Sequence, residues 1–176
     1  SHPMVIGLVI ATRPDCVNDE ILDLIARFSK HYYTVIEYGT ESTLNKTLNL
    51  INRGHTYEET VSAIEAANKR GIKTGLHMIL GLPGEQKNDI IHHAKEISKL
   101  PVHTLKLHQL QIIEGTQIAK HFKSNPDLFS NYTAEEYVDL IVEFLENLNP
   151  EIIVERFISE SPRSMLISPR WGLKNF

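Results

Sequence analysis

The sequence predicts an α/β fold, a parallel β-sheet with helices packed outside it, and three observations carry that reading. Short apolar, β-branched runs alternate with amphipathic helical stretches along the whole chain. Two of the helices open on capping boxes, Thr56 with Glu59 and Thr133 with Glu136. Glycine-bearing turns follow the strands, as expected where right-handed βαβ crossovers feed a parallel sheet. An open sheet and a barrel both satisfy this pattern.

The run from Val5 to Ala11 reads as a strand buried on both faces, closed by the turn Arg13-Pro14-Asp15. Asn18 caps a helix with Asp19 and Glu20 in its first turn and a buried stripe of Ile21, Leu22, Ile25 and Phe28. Thr34 to Tyr38 is a second strand, Gly39 to Ser42 a turn, and a short helix carries Leu44, Leu48 and Ile51. The helix opened by Thr56 runs through Val61, Ile64 and Ala67 to Gly71, a left-handed stop. Ile72 to Leu80 is a third strand ending in Gly81-Leu82-Pro83-Gly84. A helix burying Ile90, Ile91, Ala94 and Ile97 leads to a fourth strand, Thr104 to Leu110. The helix opened by Thr133 buries Tyr137, Leu140, Ile141, Phe144 and Leu145, and Ile152 to Phe157 is a weaker fifth strand before a Ser-, Pro- and Arg-rich tail.

Bulk properties narrow the function classes. A chain of 176 residues with 41% hydrophobic and 23% charged residues is sized for one compact domain. Its formal charge of −4, without a long run of one sign, gives nucleic acid no electrostatic support. No apolar stretch approaches the ~20 residues of a membrane span, so a cytoplasmic protein without a membrane partner is expected. Cys16 is the single cysteine, which excludes an internal disulfide and a cysteine-only metal cage built from this chain.

Ligands of parallel βα folds gather where strands end, so the post-strand turns are where chemistry is sought. Residues two apart on a strand share a face: Glu37 with Val35, His77 with Ile79, Lys106 with His108 and Leu110. Together they make a polar face at the strand ends that suits a ligand; singly, each also reads as a locally satisfied polar residue. A phosphate-binding loop at Gly81 to Lys87 is rejected, because Gln86 stands where that loop needs glycine. His92 and His93, about 100° apart on a helix, read as a solvated face rather than a metal pair. There is no Gly-x-Ser-x-Gly elbow, and Cys16 has no evident base.

The turns say more as an ordered set. Thr12-Arg13-Pro14-Asp15, Glu37-Tyr38-Gly39 with Ser42, Asn52-Arg53-Gly54-His55, Gly81-Leu82-Pro83-Gly84-Glu85 and Glu114-Gly115-Thr116 resemble, in order and spacing, the elongator-like branch of the radical S-adenosylmethionine (radical SAM) superfamily. The chain is similar over nearly its whole length, including Pro169-Arg170-Trp171, to an uncharacterised bacterial Fe-S oxidoreductase group of that branch. The resemblance implies half of a partial (βα)6 TIM-like barrel, roughly its third to sixth parallel strands. Residues 1–150 are then the C-terminal half of the barrel, and 151–176 a strand and tail packed on it. It also implies S-adenosylmethionine and a 4Fe-4S cluster in the full-length parent, held in part by a three-cysteine loop upstream. There the reduced cluster cleaves the cofactor to a 5′-deoxyadenosyl radical. This piece alone is expected to be inactive and to carry neither group.

By the same resemblance, Glu41 stands near the methionine moiety or ribose, where relatives usually have glutamine. Arg53 matches an arginine that holds the cofactor carboxylate, a helix-end salt bridge being its plainer role. His77 stands where some relatives place an aspartate on the ribose hydroxyls, and Ala11 where several have a glutamate. Ile79 matches the apolar residue against adenine, or simply packs in the core, and the backbone at Gln109 and Leu110 borders the adenine edge. Gly81, Gly84 and Gly115 shape turns and Pro83 fixes a bend. Arg13 and Asp15 are open to cofactor, to substrate or to each other. The expected partners are the N-terminal half of the same protein and, through the edge of the first strand, a second copy. The substrate stays unspecified. The alternative in another class is a cluster-free α/β ligand-binding or regulatory module on the same scaffold.

Overall fold

A computed structural model describes residues 4–172. The elements follow in the order β1 (Gly7–Thr12), α1 (Asp19–Ser29), β2 (Tyr33–Glu41), α2 (Asn45–Leu50), α3 (Tyr57–Asn68), β3 (Lys73–Leu80), α4 (Lys87–Ile97), β4 (Thr104–Gln109), β5 (Ile112–Ile113), α5 (Gln117–Ser124), α6 (Ala134–Glu146), β6 (Ile153–Arg156) and β7 (Leu166–Ser168). Five strands form one sheet in the order β1-β2-β3-β4-β6, every neighbouring pair parallel. The short β5 and β7 pair antiparallel beside it. This is the α/β architecture with helices between parallel strands that the alternation predicts.

The helices start where their caps place them. Asn18 Oδ1 accepts from the Ile21 N–H at 3.0 Å, and both Thr-x-x-Glu boxes close, on α3 and α6. Gly71 stops α3 at φ 71°, which only glycine adopts without strain. One face of the sheet, with Ile36, Tyr38, Leu76, Met78, Leu80, Leu105 and Leu107, packs against Leu22 of α1, Ile64 of α3, Ile90 and Ile97 of α4, and Leu140 and Phe144 of α6. Burying each such side chain is worth roughly 1.5–3 kcal/mol. The core therefore anchors the sheet from behind, leaving Glu37, His77, Lys106 and His108 on the opposite face.

Several expectations change. β1 is not buried on both faces: it is an edge strand, and Val5, Ile6, Leu8 and Val9 are each more than half exposed. The stripe of α1 divides, Leu22 and Ile25 entering the core while Ile21, Leu24 and Phe28 stay exposed. Gly39 to Glu41 continue β2 instead of turning, because β3 keeps pairing with them through a bulge. The segment after Gly115 forms α5, capped by Thr116, with a satellite core of Ile112, Ala119 and Phe129. In the tail, the Trp171 indole N–H donates to Tyr132 O at 2.9 Å and its ring lies 4.9 Å from that of Tyr137. Residues 173–176 of that tail lie outside the described residues. No helix among the described residues is long and apolar enough to cross a membrane.

Candidate functional site at the carboxyl ends of the strands

On the face away from the core, charged side chains make a row across three neighbouring strands and onto the next. Register pairs His77 with Lys106 and Glu37 with Gly75. Gly75 has no side chain, and a Cβ there would stand 3.2 Å from Glu37 Cγ and 2.5 Å from Thr104 Oγ1, so the glycine gives Glu37 the room to reach across β3. Glu37 Oε2 meets His77 Nε2 at 2.8 Å, and its Oε1 accepts from Lys106 Nζ. Lys106 also lies 3.2 Å from Glu155 of β6. Burial pushes the Glu37 carboxyl up, but the hydrogen bonds and charges of Lys106 and His77 outweigh it, so the group sits below its ordinary value. His108, on the same face, is held low chiefly by burial.

The end of β2 is built differently. The bulge between Gly39 and Glu41 leaves Glu41 at φ 65°, a left-handed conformation uncommon for any residue but glycine. The Gly39 carbonyl accepts from Arg53 Nε at 3.2 Å and Nη2 at 2.7 Å, and lies 3.1 Å from His55 Nε2. Arg53 Nη2 then stands 3.2 Å from Glu41 Oε1. A Cβ on Gly39 would fall 2.4 Å from Arg53 Nη2, so a glycine is what lets the guanidinium close over the strand. Burial raises the Glu41 carboxyl against the opposing pull of Arg53. Its second oxygen, Oε2, is buried without a hydrogen-bond partner, an arrangement that costs free energy unless a donor arrives.

Behind these strand ends lies a sealed polar cluster. Ser42 Oγ donates to Glu85 Oε1 at 2.6 Å, and Thr43 Oγ1 pairs with His93 Nδ1 at 2.7 Å. Glu85 and His93 are fully buried, with 3.3 Å between His93 Nε2 and Glu85 Oε1. His93 therefore does not belong to a solvated helix face, while His92 does, half exposed beside Glu96. The signal was available: His93 lies three residues after Ile90 and one before Ala94, inside the buried stripe of α4.

The structure brings Glu41 and Arg53 together as a pair and sets His77 and Ile79 side by side on the open face, Ile79 outside the core cluster. The side chains of Gln109 and Leu110 make other contacts. The Gln109 amide bonds Ser159, and Leu110 packs on the satellite core while its N–H donates to Leu80 O at 2.9 Å. Ala11 pairs with Glu37 across β1 and β2. Arg13 and Asp15 bond each other through two contacts.

Residues 2–97 match the Radical SAM superfamily, and residues 102–176 match the Radical SAM C-terminal domain. The chain belongs to the radical SAM superfamily. It is 36% identical over 175 residues to the MJ0486 protein of Methanocaldococcus jannaschii, a match covering 98% of this chain and 54% of that protein. It is 33% identical over 172 residues to the YtqA protein of Bacillus subtilis, covering 98% of this chain and 53% of that one. The chain thus spans about half the length of the curated relatives it matches. In fold it is similar to the archaeal Elp3 of Methanocaldococcus infernus, with a TM-score of 0.80 at 24% identity over 92% of this chain and 38% of that one. The Glu41–Arg53 pair sits at the carboxyl end of β2, the end at which parallel βα folds gather their ligands.

Proposed function

We propose that this chain is the adenosine-facing part of a radical SAM enzyme whose cluster-binding half lies upstream and packs against β1. The observation that carries the reading is the buried, unpartnered oxygen of Glu41 beside Arg53 at the strand ends. An acceptor there suits the ammonium or ribose hydroxyls of S-adenosylmethionine, and a guanidinium suits its carboxylate. Ile79 packs against the adenine ring and His77 lies toward the ribose. At Gln109 and Leu110 the Leu110 N–H is already taken and Gln109 O lies 3.4 Å from His108 Nδ1, so the Leu110 carbonyl is the backbone group to meet the exocyclic amine. When bound, the cofactor and cluster supply one-electron cleavage of the sulfonium. This chain's residues bind, orient and shield.

The chain has one cysteine, so three cluster ligands must come from outside it. The free edge of β1 supports where the remainder packs. Leu8 and Val9 on the strand and Ile21, Leu24 and Phe28 on α1 are large, apolar and exposed, the composition of a strand and helix suited to being covered. The test is anaerobic iron and sulfide reconstitution of the polypeptide extended upstream to the length of its relatives. A brown protein that cleaves S-adenosylmethionine supports the reading; a colourless, inert one contradicts it.

A further inference from the structure

A cavity of about 540 Å³ lies between the end of β4 and the tail, within the size range of small-molecule sites. Of the residues assigned to the cofactor, only Gln109 borders it. The wall is built by side chains. Gln109 Nε2 donates to Ser159 O at 2.9 Å while its Oε1 accepts from the Ser159 N–H at 3.0 Å. Gln111 Nε2 donates to the same carbonyl at 3.0 Å, and its Oε1 accepts from Ser161 Oγ at 2.6 Å. These bonds hold a stretch without regular secondary structure in one place.

Trp171 lines the same cavity, its indole fixed by Tyr132 O and Tyr137. A ring already held in position loses little freedom when a flat ligand stacks on it. Arg163 and Arg170 line it as well, and Glu160 is the one acidic residue of the wall. Arg170 donates through Nε to Leu166 O at 3.0 Å, and Arg163 has no carboxylate partner among the described residues. Two guanidiniums in a chain of net charge −4 mark a local preference for an anion, and the planar fork suits carboxylate or phosphate.

We propose that this cavity binds a small organic oxyanion carrying a flat ring, the ring against Trp171 and the carboxylate or phosphate between Arg163 and Arg170. That this ligand is the substrate of the radical reaction rests on the reading above; the binding itself does not.

Trp171 is the only tryptophan of the chain, so its fluorescence reports on the cavity. The experiment titrates the chain with benzoate and with phenyl phosphate, using phenol and inorganic phosphate as single-feature controls. At least one ring-bearing anion is expected to give a saturable change. Its affinity is expected to fall about tenfold or more in Arg163→Gln/Arg170→Gln and to stay unchanged in Arg53→Gln, and the preferred anion identifies the oxyanion. Both arginines are exposed, so the double variant retains its fold, which circular dichroism checks. The proposal is overturned if neither anion saturates, if phenol alone binds as well, or if the double variant binds as tightly. Loss of binding in Arg53→Gln would also overturn it, by placing the ligand at the cofactor end. None of these results bears on cofactor cleavage, so the two readings fail separately.

Discussion

Two polar networks flank the sheet, one behind the ends of β2 and β3 and one in front across the middle of β2, β3 and β4, and they differ in access to solvent. Behind, Glu85 and His93 are fully buried and are met by the hydroxyls of Ser42 and Thr43. In front, Glu37 is nearly buried, but the side chains of Lys106, His77 and Glu155 keep 22%, 23% and 36% of their surface exposed. The rear network ties the segment after β2 to the loop after β3 and to α4. The front one balances its charges while staying open to a ligand. A site assembled this way is rigid from the helix side and reachable from the other, which is what preorganised binding requires.

The comparison breaks most sharply at Glu85. Glu85→Ala strands the Ser42 hydroxyl and leaves His93 without its neighbour in a sealed space, with an expected cost of about 3 kcal/mol in urea unfolding. A cost under about 1 kcal/mol would show that the rear network holds nothing together.

Lys106→Met is the matched test in front, expected to cost about 2 kcal/mol because Glu37 stays buried with only His77. Its pH dependence has a definite sign. The folded Glu37 carboxyl is lowered, so the stability it contributes is present above the unfolded value, roughly 4.3, and is lost as pH falls through the folded one. The penalty of Lys106→Met should therefore shrink in acid, and a penalty independent of pH would contradict the pairing.

Glu41 carries the opposite sign. Burial raises its carboxyl, so stability is greatest where it is protonated and falls as pH rises past the unfolded value. Glu41→Gln should stabilise the chain by about 1 kcal/mol at pH 7, with the gain fading below roughly pH 4. The smallest effect is expected on β1: Leu8→Lys should change stability by less than about 0.5 kcal/mol, since Leu8 is 56% exposed. Analytical ultracentrifugation should meanwhile show that any edge-to-edge association weakens.

The strands and helices were legible because each carries a local signal. The Thr56 and Thr133 boxes, Gly71 and the alternating faces of Glu37, His77 and Lys106 all stand where the pattern put them. The two-residue β5 and three-residue β7 are too short for any period to show. The exposure of β1 was hidden for a different reason: an apolar run records what a strand is suited to pack against, not whether that neighbour is present. The partners of His93 and Glu85 lie 50 and 43 positions away, beyond local pattern. The side-chain contacts of Gln109 lay beyond the pattern because its amide serves the tail, a contact set by how residues 158–161 return to β4.

The Glu41–Arg53 end of the sheet is the proposed cofactor-binding end. The most direct test of that assignment is the equilibrium affinity of the reconstituted, upstream-extended polypeptide for S-adenosylmethionine, compared between Arg53→Lys and the exposed control Lys99→Ala. A loss of about tenfold or more in Arg53→Lys, with Lys99→Ala unchanged, is the expected result. Equal affinity in both variants would contradict it.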